Sequence, residues 1–373
     1  MKILIYNWRD IKNPKAGGAE VLTHELAKGW VSAGHEVTYF SSSFKGAKEK
    51  EVIDGISIIR AGNAISVYWQ AYIHYKNEFK GKFDLIIDEI NTLPFFTRLY
   101  TKEKIVVHIN QLAKEVWFYE SLFPVSLIGY LLEPLFLKLY KKEDVITISQ
   151  STKTDLIDLG FKKDKINIIP MGIEFEPLKE LPTKEDSPTL IYVGRLKKSK
   201  RVHHIIEAYK EAKAKVAGLR LWIVGNGDVS YKERLYKQAE GEEAIDFFHN
   251  IDNKEKLKRM SLAHLIVVTS AREGWGLIVT EANAMGTPAL TYDVPGLRDS
   301  NKNKKTGIVP LENNPRCLSH EIIRFLNDER LMQQLSKKAL KDSKEYSWKR
   351  TVDESLDIIE KINSHKEGKV TQK

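Results

Sequence analysis

Two carboxylates, Glu273 and Glu281, close the run Glu-Gly-Trp-Gly-Leu-Ile-Val-Thr-Glu, which continues as Ala-Asn-Ala-Met-Gly-Thr-Pro to Pro288. Leu277 to Met285 are good helix formers, Gly286 suits a C-terminal cap, and Pro288 stops continuation, so a helix is predicted here. Gly274 and Gly276 let the backbone approach a ligand with no Cβ in the way. The amides of Gly276, Leu277 and Ile278 then face out of the helix start, where anions bind. Glu281, one turn in, can lean back to the same mouth. Anion-seeking amides beside two hydroxyl-seeking carboxylates suit a ligand with phosphate in the middle and sugar at both ends, a nucleotide-sugar.

The whole stretch, including Trp275 and the Ala-Met-Gly-Thr-Pro exit, resembles the Glu-x7-Glu signature of the retaining family-4 glycosyltransferases. The resemblance implies that Glu273 contacts the transferred sugar and Glu281 the donor ribose. It also implies the GT-B fold, two Rossmann-like doubly wound domains facing a central cleft, with the last helix crossing back to the first domain.

Further candidates lie where short apolar runs end. Val193-Gly-Arg-Leu196 closes one run and Lys200 follows a short loop. Arg195 offers a planar fork to phosphate oxygens and Lys200 a mobile point charge, suited to neutralising a departing diphosphate. Both match the family's pattern, although Arg201 stands where the family usually has Gly. Gly17-Gly18 opens a predicted helix after the first run; it is not the Gly-x-Gly-x-x-Gly fingerprint, so a nicotinamide cofactor is not expected. The resemblance assigns this turn to the donor phosphate and the acceptor. It also places His108, at the end of Ile105-Val-Val-His, near the transferred sugar. Gly225-Asn-Gly227 matches a family loop near the nucleotide, and Asn250 stands where the family holds the base and often carries Gly. Val294-Pro-Gly-Leu-Arg-Asp299 is similar to a subgroup feature without an assignable specificity. His203, His204, His249 and His264 lack metal spacing and read as packing or surface residues.

No Asp-x-Asp occurs in the chain, and no Ser-His-Asp or Cys-His arrangement is evident. The helix start with Arg195 and Lys200 can replace a divalent ion, so metal-independent activity is expected, with no metal site and no cofactor beyond the donor substrate.

These residues need a scaffold of buried parallel strands. Short β-branched runs recur at 3–6, 36–40, 56–59, 85–87, 105–108, 145–148 and 166–169, and again at 190–193, 219–224, 245–248, 265–269, 289–292 and 307–309. Alternation with helix-like stretches implies two α/β sheets. The expected division is an acceptor-binding domain at 1–172, a linker at 173–187, a nucleotide-sugar-binding domain at 188–345, and a C-terminal helix at 346–365. Residues 366–373 are expected to be disordered.

The chain has 373 residues, 42% of them hydrophobic and 29% charged, as in globular proteins of two ordinary domains. Cys317 is the only cysteine, which excludes a disulfide framework and fits a reducing cytoplasm. No signal-peptide pattern follows Met1. The net charge of +9 suits phosphorylated ligands or anionic lipid. Nucleic acid is not an expected partner, because no basic tract is interleaved with aromatics. Val116 to Tyr140 is rich in aromatics and leucines, too interrupted to span a bilayer, and followed by Lys141 and Lys142. Two readings follow for it: a buried helix pair, or an interfacial segment that makes the protein peripheral on the inner face of the membrane.

The expectation is therefore a retaining glycosyltransferase moving a hexose-type sugar from a nucleotide-sugar to a glycan or lipid-linked acceptor. Its alternatives are a same-fold epimerase or phosphorylase, or a non-catalytic carbohydrate- or lipid-binding protein.

Overall fold

The computed structural model describes residues 1–364; the tail expected to be disordered, and residue 365, lie outside them. The chain divides into two compact units. Unit 1 comprises residues 1–114 and 127–172 and the C-terminal stretch from Ser347; unit 2 comprises 115–126 and 173–346.

Unit 1 holds strands β1 (Lys2–Tyr6), β2 (Glu36–Ser41), β3 (Lys50–Ile53), β4 (Ile56–Arg60), β5 (Leu85–Glu89), β6 (Lys104–His108), β7 (Asp144–Thr147) and β8 (Ile166–Ile168). They form one sheet in the order β3-β4-β2-β1-β5-β6-β7-β8. All pairings are parallel except β3 with β4. The central strands are buried on both faces, which is why they read as continuous Ile, Leu and Val rather than alternating runs. The strand β3 has no apolar run of its own. It pairs through a hairpin at Asp54-Gly55, both at positive φ, the signature of a tight two-residue turn.

The last helix, Trp348–Ser364, packs on Gly18–Ser32 within this unit. Trp30 donates to Ser355 at 2.9 Å. Val352 lies so close to Gly29 that a Cβ there would meet its methyl at 2.2 Å.

Unit 2 repeats the plan with β9 (Thr189–Val193), β10 (Arg220–Val224), β11 (Ile245–Phe248), β12 (Leu265–Val268), β13 (Ala289–Thr291) and β14 (Gly307–Ile308). All are parallel, in the order β11-β10-β9-β12-β13-β14. Leaving aside the β3–β4 hairpin, the strand order of each sheet reverses once, between β1 and β5 and between β9 and β12. Open sheets of this kind bind ligands at the carboxyl ends beside such a reversal.

Two boundaries differ from the sequence reading. Residues 115–126 were expected in the first domain, but they pack with unit 2. There the Arg272 guanidinium donates to Glu115 at 2.9 Å, Glu120 accepts from Ser199 and Lys197, and Arg201 donates to Tyr119 at 2.6 Å. Nor is the stretch 173–187 a bare linker. Lys184 reaches into unit 2 and donates to Ser261 O, Gly286 O and Thr287 Oγ1 at 2.7–3.0 Å. Burial pushes its pKa down to about 7. Backbone bonds from Leu178 to Ala284 and from Glu185 to Leu262 complete a strap.

Candidate active site

In unit 2 the strand reversal brings the end of β9 beside the end of β12, and the two predicted charges meet there. Lys200 donates to Glu273 Oε1, and Ser270 donates to the same oxygen at 2.6 Å. Both bonds fall on Oε1, so Oε2 of this partly exposed carboxylate takes neither. The loop that carries Glu273 is held from behind. Glu273 N–H donates to Pro295 O. Gly296, at φ +80°, sits so close that a Cβ there would lie 2.2 Å from Glu273 O. This gives the Val294–Asp299 motif its structural task, as the backing of the Glu273 loop.

Gly276, in the left-handed region at φ 95°, is the N-cap of the helix Leu277–Ala284, and no side chain caps it. The amides of Leu277 and Ile278 lack intrahelical partners by helix geometry, so this end offers donors and a positive dipole. One turn further, Glu281 Oε2 accepts from Lys256 Nζ at 2.8 Å. Burial raises the Glu281 pKa, Lys256 opposes the shift, and the nearby Glu174 adds to it. Lys256 belongs to the helix Asn253–Leu262, whose start is capped by Asp252 accepting from Glu255 N at 2.7 Å.

Arg195 is exposed at the end of β9, where its carbonyl accepts from Tyr192 at 2.9 Å. The Gly225-x-Gly227 turn lies flat against that strand end. A Cβ on Gly225 would meet Gly194 O at 1.9 Å, and one on Gly227 would meet Leu196 O at 2.1 Å. Asn226 reaches from this turn to Asn250 Oδ1 at 3.0 Å. Arg201 and Asn250, the two departures from glycine, both adopt left-handed backbone at φ 50° and 55°. The loop shapes that glycine favours are thus kept, at a cost of order 1 kcal/mol each. Trp275 packs edge-on against Tyr346.

Unit 1 carries Gly17 and Gly18 in the connection after β1 and His108 at the end of β6, one strand beyond the reversal. The helix Gly18–Ser32 starts directly after the N-cap Gly17, whose N–H donates to Glu20 at 2.7 Å. Of the two glycine amides expected at a phosphate, one is therefore taken by Glu20. His108 ends β6 opposite Glu89 at the end of β5, with Nδ1 3.9 Å from Glu89 Oε2. Burial pushes the His108 pKa down to about 4, so the ring is neutral near pH 7. Glu89 accepts from Thr23, and burial raises its pKa well above the usual carboxylate range. His108 Nε2, Glu89 Oε1, Asn7 Nδ2 and both polar atoms of the Asn110 side chain are buried without a protein partner. Asn7 follows β1 directly, so these groups gather at adjoining strand ends. Buried polar atoms in such a group mark a place built to hydrogen-bond a ligand or ordered water.

Comparison with known proteins decides the family. The model for Glycosyltransferase Family 4 matches residues 16–176, and that for Glycosyl transferases group 1 matches 175–342. The chain is a family-4 glycosyltransferase. An uncharacterised glycosyltransferase of Methanocaldococcus jannaschii is 24% identical over 96% of this chain and 97% of its own. Among solved structures, sucrose-phosphate synthase of Thermosynechococcus elongatus superposes with a TM-score of 0.79, at 19% identity over 98% of this chain and 99% of that one. Anabaena HepE in complex with UDP-glucose superposes with a TM-score of 0.71, at 17% identity over 97% and 100%. The fold is GT-B.

Four residues of this glycosyltransferase were not singled out from sequence: Lys256 and Ser270 at the grouping in unit 2, and Glu89 and Asn7 at the grouping in unit 1. Lys256 lies 25 positions from Glu281, whereas Ser270 is three residues from Glu273 in the same loop. One signal was available for Glu89, a carboxylate ending the apolar run Leu85-Ile-Ile-Asp-Glu, where a solvent-facing charge has no place.

Proposed function

We propose that this glycosyltransferase moves a hexose-type sugar from a nucleoside-diphosphate sugar to a glycan or lipid-linked hydroxyl, with retention at the anomeric carbon and without a metal ion. The observation that carries the reading is the grouping at the end of β9 and β12: Lys200 and Glu273 in contact, an uncapped helix start at Gly276, and Glu281 steadied by Lys256. HepE's complex with UDP-glucose supports the donor class.

In this reading the amides of Leu277 and Ile278 face the diphosphate, while Lys200 and Arg195 take up the charge that grows on it. Preorganised donors of this kind are worth about 10²–10³ in turnover each. Their combined charge does the work a divalent ion does elsewhere, which is the ground for metal independence. Glu281, with one oxygen fixed by Lys256, accepts from a ribose hydroxyl through the other. Glu273 uses Oε2 to accept from a hydroxyl of the transferred sugar, and the loop at Asn250 holds the base. In unit 1, neutral His108 offers Nε2 to a sugar hydroxyl, and Gly18 N–H faces a phosphate oxygen.

The bond from C1 to the diphosphate oxygen breaks as the acceptor oxygen bonds to the same face of C1. The acceptor proton passes to the departing phosphate oxygen. The protein positions the partners and stabilises charge.

The test is a melting-temperature screen against UDP-glucose, UDP-N-acetylglucosamine and GDP-mannose, followed by donor hydrolysis with the best binder. A ligand at 100 times its Kd stabilises by about 2.7 kcal/mol. One donor is expected to raise the melting temperature and to be slowly hydrolysed, with EDTA making no difference. No shift with any nucleotide-sugar would overturn the reading.

A further inference from the structure

The helix Val125–Lys138, which belongs to unit 1 from Leu127 onward, is turned with its polar side inward. Ser126 and Glu133 are buried along with Leu137, while Leu127, Ile128, Leu131, Leu132 and Leu135 are exposed. Ile128, Leu131 and Leu135 present 51%, 58% and 52% of their surface. At about 100° per residue the five outward residues fill an arc of roughly 140°, opposite the buried three. Specific bonds fix this orientation. The Glu133 carboxylate accepts from Ala113 N–H at 2.6 Å and Lys114 N–H at 2.8 Å, and Phe136 packs edge-on against Phe96. Rotating the helix to bury its leucines would strip Glu133 of both donors.

We infer that this outward face is a docking surface for an anionic lipid bilayer. An apolar arc of this size, all on one helix, exceeds the scattered exposure normal for a soluble surface. Charge selects the occupant. The only exposed charged side chain on the helix is Lys138, and Lys142 lies exposed just beyond its end. Leucines flanked by lysines, with no exposed acid on the helix, match acyl chains under anionic headgroups. The helix, at about 1.5 Å per residue over 14 residues, is too short to cross. No helix among the described residues is long and apolar enough to do so. It lies in the interface instead. This inference does not depend on the transfer reading.

The test is co-sedimentation of the full chain with vesicles of phosphatidylglycerol mixed into phosphatidylcholine, and of phosphatidylcholine alone, at low and physiological salt. Binding is expected to the anionic vesicles, weakened several-fold by salt, and lost in the double variant Leu131→Ser, Leu135→Ser. Lys138→Glu with Lys142→Glu should lose the anionic preference. A Leu135→Trp variant should be quenched by brominated lipid, a readout that needs no loss of fold. The inference is overturned by any of three results. One is no binding to anionic vesicles at low salt. Another is binding indifferent to the leucine substitutions, with no quenching. The third is a dimer in sedimentation that the leucine variant dissociates, without vesicle binding, which would make the face a contact between copies.

Discussion

Lys200 and Glu273, 73 positions apart in sequence, meet through a direct ion pair at the point where the second sheet reverses its strand order. Neither charge is spent on packing, since both side chains keep part of their surface in solvent. Lys200→Ala should lower turnover on the order of 10²–10³ with a smaller change in donor KM, the mark of charge stabilised in the transition state. Steady-state kinetics check this, and Arg195→Ala should behave in the same sense. Unchanged kcat in Lys200→Ala would remove the leaving-group role.

The second ion pair behaves differently because it is set deeper. Lys256→Met leaves Glu281 without its cation in a setting that already raises its pKa. The expected results are a higher donor KM and a loss of about 1–2 kcal/mol in stability, below the figure for a fully buried pair because both groups keep some solvent contact. Urea denaturation and donor titration measure the two. Restoring affinity with Lys256→Met, Glu281→Gln would support the pairing.

Gly296 and Gly34 separate a clash from a backbone cost. Both have φ near +80° to +90°, so alanine is strained at either, the more so at Gly296, whose ψ of −50° lies outside the left-handed helical region. At Gly34 nothing lies within 4 Å of the added Cβ, whereas at Gly296 it meets Glu273 O at 2.2 Å. Gly296→Ala should therefore displace the Glu273 loop and cut turnover at least tenfold. Gly34→Ala should leave turnover unchanged and lose only the backbone term in melting.

His108 predicts a pH dependence. Its pKa is about 4 in the folded chain against an ordinary 6.5, so between these values the unfolded chain binds the extra proton. Stability contributed by neutral His108 is present above pH 6.5 and is lost as pH falls toward 4, on the order of 3 kcal/mol in all. Glu89, with a raised pKa, works in the opposite sense: its contribution is present below the ordinary carboxylate value and fades as pH rises. The informative quantity is thus a difference. His108→Asn should have a flatter stability curve than the parent between pH 6.5 and 4, measured by denaturant unfolding. Parallel curves would contradict burial of a neutral imidazole.

Much of the scaffold was legible in sequence because strands buried on both faces must be continuous and β-branched, as in Ile3-Leu-Ile and Leu265-Ile-Val-Val. The Glu273–Glu281 helix was legible for a similar reason, being a local motif with its own start and stop. Lys256 was not, since its meaning comes from Glu281, which only folding brings close. Ser270 was not, since a serine three residues before Glu273 carries no periodic or motif signal. The strand β3 was missed because Lys50-Glu-Val-Ile follows no apolar run, although Asp54-Gly55 marked its hairpin. The segment 115–126 was misplaced because covalent continuity with β6 says nothing of where Glu115 and Glu120 find their cations.

Retaining transfer by the residues around Glu273 is tested by the anomeric configuration of the first sugar released. With the nucleotide-sugar that most raises the melting temperature, taken as its α-linked form, the first sugar released or transferred can be followed by proton NMR in the presence of EDTA. The α anomer is expected first, at a rate EDTA leaves unchanged and Glu273→Gln sharply reduces. A β anomer appearing first, or a rate that collapses with EDTA and returns with manganese, would contradict it.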